Sequence, residues 1–286
     1  MLSSSHAILN QENYKHAADA HNEMGLNSTL YLAYRDIPAI LERHLFGRTK
    51  KESYRLLDFG CGVGLSTEII AKMVMKAGYK VDVLGVDVSE ENLKFARHRL
   101  PKGNFLKIEP NQSLQKLGEF DLIVCNFVLV ELQQKNMLNV LKIIQPLLID
   151  SGALIVTNCT SKAYKRSNKW YSFNNNFPQN EPTEIRNNKP KFQDDQPIKV
   201  QIFTHTAGNS ASFTFFDFFH SGKAYRSAYE AAGLQLLETH KPIGRDSDGI
   251  PWRSEKEYSP YKIHVLYKQQ PKLEMDLALP PVRAKL

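Results

Sequence analysis

The segment Leu57-Asp58-Phe59-Gly60-Cys61-Gly62-Val63-Gly64 sets a carboxylate just ahead of three glycines at alternate positions. Glycines spaced this way allow a tight turn and let the backbone approach a ligand closely. A second acid, Asp87, stands 25 residues beyond Gly62. A dinucleotide site is the first chemistry to test. Its pattern, G-x-G-x-x-G, needs glycine at position 65. That position is Leu65, and the third glycine is Gly64. Asp58 would also repel a pyrophosphate, since both are anionic. It suits a ligand with a cationic group. Asp87 offers two oxygens that can accept from adjacent hydroxyls.

These residues need elements to position them. Arg55–Phe59 is a short apolar run ending in the glycine turn, and a helix follows over about 65–77. Val81–Asp87 is a second strand, after which Ser89 caps a helix to about Leu100. Asn104–Ile108 and Asp121–Cys125 are the third and fourth strands. A helix near 133–145 leads to a fifth strand, Ala153–Thr157. Strands alternating with helices predict βαβ units and a parallel sheet covered on both faces. Upstream, residues 10–22 and 28–46 have helical character. The second stretch opens on the N-cap types Asn27-Ser28-Thr29, and Pro38 is set to kink or divide it. The rhythm breaks after Cys159. Residues 160–197 are rich in Asn, Pro, Lys and aromatics without a period. Ile198–Phe203 and Ser212–Phe216 then predict an antiparallel hairpin turning at residues 207–210. A helix over about 222–232 ends at Gly233, ahead of strands at Leu234–Thr239 and Tyr261–Tyr267.

On these residues the chain resembles the class I S-adenosylmethionine-dependent methyltransferases. The family's first motif, an acid followed by G-x-G-x-G, is matched by Asp58, Gly60, Gly62 and Gly64. Its fourth-strand segment is matched by residues 120–132. The Lys/Arg-Pro-Gly-Gly turn before its fifth strand is replaced here by Asp150-Ser151-Gly152. The resemblance is strong over 54–160 and continues weakly through Ala231-Ala232-Gly233-Leu234. It implies an α/β, Rossmann-like fold with a seven-stranded, mostly parallel sheet. Helices lie on both faces, the last strand is antiparallel, and N-terminal helices are joined by an insertion after the fifth strand that forms a lid. The expected division is an N-terminal helical cap over 1–50, a cofactor-binding core over 51–160, a lid over 161–220, completion of the sheet over 221–268, and a tail over 269–286.

The implied cofactor is S-adenosylmethionine, with S-adenosylhomocysteine as product and no metal. By this resemblance Asp58 meets the methionine ammonium, directly or through water, and the loop of Gly60, Cys61, Gly62 and Gly64 passes the ligand. Asp87 holds the ribose, with Val88 beside it. Glu109, Asn111 and Gln112 compete for the adenine amino group. Asn126 and Phe127 line the junction of cofactor and substrate. Arg35 and Tyr31 are placed to close over the methionine end.

Methyl transfer is an in-line displacement with a neutral leaving group, so alignment and exclusion of water carry much of the acceleration. A base is needed only for a protonated nucleophile. His220 and His205 are the natural candidates, since their reference pKa is near neutral, and Glu131 is a third. The aromatic insertion suits a lid over a small apolar or aromatic acceptor. Trp170 and Tyr171, with Lys165 and Arg166, are the expected substrate contacts. The equally plain reading is that the aromatics are the insertion's own core.

Charge sharpens the acceptor class. The 286 residues carry a net +7, with the excess in the last 126 residues and none across 56–160. Lys162, Lys165, Arg166 and Lys169 fall within eight residues without an acid. Such a cluster is either a solvated surface or an attractor for an anionic acceptor. The motifs of enzymes that methylate exocyclic amines of DNA bases are absent after the fourth strand, which argues against nucleic acid as partner. The alternatives are a methyltransferase acting on RNA or protein through the basic C-terminal half, and a non-catalytic cofactor-binding protein. Cys61, Cys125 and Cys159 lack C-x-x-C spacing and read as reduced thiols. No secretory signal and no apolar run of membrane-spanning length is visible. The expectation is a cytoplasmic monomer or homodimer. The final Ala284-Lys285-Leu286 is one residue from a peroxisomal signal.

Overall fold

The structure is a computed structural model, and it describes residues 22, 25–49, 51–186, 189–203 and 212–269. Residues 10–21 of the helix expected over 10–22, the turn at 207–210 and the tail beyond 269 lie outside the described residues.

The core alternates strand and helix. β1 is Ser53–Phe59, α3 is Leu65–Lys76, β2 is Lys80–Asp87, α4 is Glu90–Arg99 and β3 is Asn104–Lys107. β4 is Phe120–Asn126, α5 is Gln134–Ile144 and β5 is Leu148–Cys159. The chain returns through α6, Gly222–Ala231, to β11, Leu234–His240, and β12, Tyr261–Lys268. Together they form a seven-stranded sheet ordered β3-β2-β1-β4-β5-β12-β11. Strands β1 to β5 pair parallel, while β12 is antiparallel to both β5 and β11. This is the Rossmann-like architecture expected from the sequence. Full burial along β4 explains its continuous apolar run, because helices cover both sides. One face packs Leu32, Ile40 and Ile70 against Leu56, Val124 and Ile155. The other packs Met137, Leu141 and Tyr229 against Leu57, Ile123 and Val156.

Local details refine the sequence pattern in three places. The helix expected over 28–46 is divided into α1, Tyr31–Tyr34, and α2, Ile37–Leu41, followed by a π turn over Glu42–Phe46. Pro38 sits in the first turn of α2, where its missing N–H costs nothing. β5 runs straight through Asp150-Ser151-Gly152, which the sequence reads as a turn. A Cβ on Gly152 would lie 2.8 Å from the Asp121 carbonyl, so the strands approach too closely there for another residue. The segment after β5 builds a second sheet ordered β10-β9-β6, in which β6 is Phe173–Asn174, β9 is Pro197–Phe203 and β10 is Ser212–Phe218. A small hairpin of β7, Glu184–Arg186, and β8, Lys189–Lys191, stands apart from it.

A buried polar knot fixes this segment over the core. Glu255 is fully buried and accepts from Thr29 Oγ1 at 2.6 Å and from the Tyr171 amide at 2.7 Å. Ser172 Oγ accepts from the Thr29 amide at 2.8 Å. The N-terminal segment, the insertion and the β11–β12 connection thus meet at one satisfied carboxylate. No helix among the described residues is long and apolar enough to cross a membrane.

Candidate cofactor and acceptor site

The strand order reverses between β1 and β4, and a crevice opens beyond the carboxyl ends of strands at such a switch point. Asp58 and Asn126 both stand there. They lie on one face of neighbouring strands, since Asp58 pairs with Val124, two residues before Asn126. Asp58 is 1% exposed. Its Oδ2 accepts from Thr67 Oγ1 at 2.6 Å, and its Oδ1 has no hydrogen bond. Asn126 donates from Nδ2 to Ser66 Oγ at 2.8 Å, and its Oδ1 is likewise bare. Burial pushes the Asp58 carboxyl up to about 7, only partly offset by the Thr67 and Ser66 hydroxyls. Two buried acceptor oxygens without donors form a cradle for a cationic donor.

Asp87 does two things. Its Oδ2 accepts from the Gly62 amide at 2.8 Å and its Oδ1 from the Ser89 amide at 2.9 Å. It therefore ties the glycine loop to the start of α4, and each oxygen keeps acceptor capacity for a further donor. Burial raises this carboxyl above its usual range, and the Ser89 and Gly62 amides pull it back. Val88 beside it is 41% exposed, an apolar side chain left for a flat ligand face. Two of the glycines serve packing as well as approach. At Gly60, with φ +74°, a Cβ would lie 2.3 Å from Val128 Cγ2. At Gly64, with φ +79°, it would lie 2.8 Å from Ala96 Cα, so the loop fits only without side chains. Cys61 is buried against Leu93, Ala96 and Phe105.

These features fit S-adenosylmethionine. The bare oxygens of Asp58 and Asn126 suit an ammonium, Asp87 suits a diol, and Val88 suits an adenine face. Glu109 and Asn111 are exposed, Asn111 at φ 62°, while Gln112 caps the Glu109 amide at 2.9 Å. Arg35 is committed elsewhere: it reaches Asp36 at 2.8 Å, Asp248 at 2.9 Å and the Ile243 carbonyl at 2.8 Å. Tyr31 packs near Trp252, ring centroids 6.3 Å apart.

Next to this crevice a partly open cavity encloses about 110 Å³. Phe127, Val130 and Glu131 line it from the exit of β4, Cys159 from β5 and Tyr261 from β12. The insertion contributes Tyr164, Phe173, Val200, Ile202, Phe213, Phe215 and Asp217 among others. Phe127 is held at φ 61°, a left-handed conformation that costs an aromatic residue about 1–3 kcal/mol. Its ring stands edge-on to Tyr261 at 5.0 Å. Sequence reasoning did not single out Asp217 as a site residue, nor Tyr164, which donates to it; Tyr164 lies in the segment without periodicity, and Asp217 just past the predicted strand 212–216. It also passed over Ser66 and Thr67, whose position in the first turn after the glycine loop was the available signal.

The remaining expected residues that are described fall outside the cavity lining. His220 is 4% exposed and hydrogen-bonds from Nε2 to the Leu132 carbonyl at 2.7 Å, and burial holds its pKa below the ordinary value. It anchors the insertion's return to the core, and Ser221 after it caps α6. His205 lies outside the described residues. Trp170 stacks on Phe173 at 5.1 Å and donates to the Ala163 carbonyl, and Tyr171 packs edge-on to Trp252 at 6.1 Å. Both are core, because a packed and satisfied aromatic has no face left for a ligand. Lys165 is exposed, and Arg166 is paired with Glu181 and Asn176. Of the predicted catalytic and substrate residues that are among the described ones, only Glu131 lines the cavity. No group of metal-ligating side chains occurs among the described residues.

Comparison with known proteins gives a coherent picture. The family model described as "Methyltransferase domain" matches residues 50–224. The trans-aconitate 2-methyltransferase of Variovorax paradoxus is 39% identical over 80 residues, 28% of this chain and 29% of that protein. A ubiquinone biosynthesis O-methyltransferase of Bordetella avium is 36% identical over 89 residues, 29% of this chain and 34% of that one. The chain thus spans about a third of the length of these curated relatives. In fold it is similar to an S-adenosylmethionine-dependent methyltransferase from Clostridium acetobutylicum, with TM-score 0.56 and 15% identity, covering 83% of this chain and 92% of that one.

Proposed function

The chain belongs to the methyltransferase-domain family, and from that premise and the geometry above we propose that it transfers a methyl group from S-adenosylmethionine to a small-molecule acceptor. The observation that carries this reading is the pair of bare, buried oxygens on Asp58 and Asn126 at the switch point. When bound, the cofactor supplies an electrophilic sulfonium methyl carbon. Asp58 and Asn126 hold the ammonium end, Asp87 holds the ribose, and Val88 lies against the adenine. Phe127 forms the wall between cofactor and acceptor. The insertion, residues 161–220, acts as the lid that keeps water from the acceptor, with the N-terminal cap closing the other side. The apolar cavity lining supports this role. Three free cysteines, two of them buried, support a reducing compartment, the cytoplasm.

The test uses cofactor labelled in the methyl group and two acceptor pools, cell metabolites and macromolecules. Label should enter the metabolite pool. Label confined to RNA or protein would replace the small-molecule reading with the macromolecular one. No transfer by protein that binds S-adenosylhomocysteine would leave a non-catalytic cofactor-binding protein.

A further inference from the structure

The cavity lining carries polar groups that the cofactor reading does not use. Asp217 on β10 is 1% exposed. Its Oδ2 accepts from the Tyr164 hydroxyl at 2.8 Å, and its Oδ1 carries no hydrogen bond. Both residues line the cavity, together with Glu131 and otherwise mainly apolar side chains. No lysine or arginine lines it among the described residues. The enclosed volume, about 110 Å³, falls short of the roughly 150 Å³ that accommodates benzene in a sealed apolar protein cavity, so this partly open cavity takes a single small ring with part of it in the mouth. Burial pushes the Asp217 carboxyl up to about 7, opposed by Tyr164 and the nearby Cys159 thiol. A buried carboxylate oxygen left without a donor is costly unless a ligand supplies one.

We propose that Asp217 is the specificity residue of the acceptor site, and that the acceptor is an uncharged, ring-sized apolar molecule whose hydroxyl or N–H group donates to Asp217 Oδ1. This rests on the methyltransferase reading for the identity of the cavity. It also reverses the sign suggested by the basic cluster at 162–169. Those side chains lie outside the lining, whereas two acids lie within it. An anion entering the cavity would meet like charge.

The experiment is fluorine NMR on the full chain saturated with S-adenosylhomocysteine, at pH 8, where a phenol with a pKa of about 10 stays neutral. The probes are 4-fluorophenol, 4-fluorotoluene, which replaces the hydroxyl by a methyl of similar size, and 4-fluorobenzoate. Wild type should bind the phenol at least tenfold tighter than the toluene, and the benzoate weakest. Asp217→Asn should cut the phenol preference at least threefold, and Asp217→Val should abolish it. Tyr164→Phe should keep it, since that change leaves Oδ1 in place. Equal binding of phenol and toluene, tightest binding of benzoate, a preference untouched in both Asp217 variants, or no binding of any probe overturns the assignment. Affinity for S-adenosylhomocysteine, measured first on the same samples, separates the two readings. If it is absent, the methyltransferase reading fails; if it is intact while discrimination is missing, only the Asp217 assignment fails.

Discussion

Asp58 and Asp217 are near-copies in physical terms. Each is 1% exposed, each accepts one hydroxyl on Oδ2, each leaves Oδ1 bare, and burial pushes each up to about 7. Yet Asp58 stands near the end of a parallel strand of the seven-stranded sheet, and Asp217 on an antiparallel strand of the second sheet. On the two proposals above, the same device, a desolvated carboxylate missing one donor, would serve the cofactor in the core and the acceptor in the insertion.

The largest effect should follow from breaking the cofactor half. Asp58→Asn keeps the shape but removes a charge-assisted hydrogen bond worth about 1.5–3 kcal/mol, so affinity for S-adenosylhomocysteine should fall roughly ten- to hundredfold. Titration calorimetry measures this. Asp87→Ala should cost about 1–3 kcal/mol of the same affinity. It should also speed hydrogen exchange at the Gly62 and Ser89 amides, which lose their acceptor; unchanged exchange would refute the double role.

The insertion half should respond in stability rather than cofactor affinity. The folded Asp217 value, about 7, stands above the unfolded value of about 3.9. The native state therefore holds this proton more tightly, and the stabilisation is lost as pH rises from about 4 through 7. Asp217→Asn removes the buried charge, so it should melt a few degrees higher than wild type at pH 8, with the gain shrinking towards pH 4. Thermal melts across that range check the sign, and a variant less stable than wild type at pH 8 would contradict it. The smallest effect belongs to the basic cluster. Lys165→Gln with Arg166→Gln should change stability by no more than about 0.5 kcal/mol and leave cofactor affinity unaltered.

The same contrast explains what was legible in the sequence. Asp58, the glycines and Asp87 announce themselves because a strand must end, turn and start a helix within a few residues. The alternation of strand and helix from Tyr54 to Cys159 follows from burying both faces of a parallel sheet. In the insertion, the β9–β10 hairpin was visible as two β-rich runs, but β6 pairs through only two residues and has no pattern to see. Asp217 sits within the aromatic run 213–219, where nothing in the spacing separates a buried acid from an exposed one. His220 looked chemical by type, though its place before the capping Ser221 already favoured a structural role, and its contact with the Leu132 carbonyl shows that it anchors the fold. Trp170 and Tyr171 looked like substrate contacts, and packing makes them core.

The most direct test of the central claim is titration calorimetry of S-adenosylhomocysteine against wild type and Asp58→Asn at pH 6, 7 and 8. An ammonium prefers the ionised carboxylate, so wild-type affinity should rise with pH through the Asp58 midpoint near 7, by up to about tenfold per unit below it. The variant should bind more weakly, without that rise. Folded wild type that fails to bind the ligand, or a variant that matches wild type at every pH, would contradict the account.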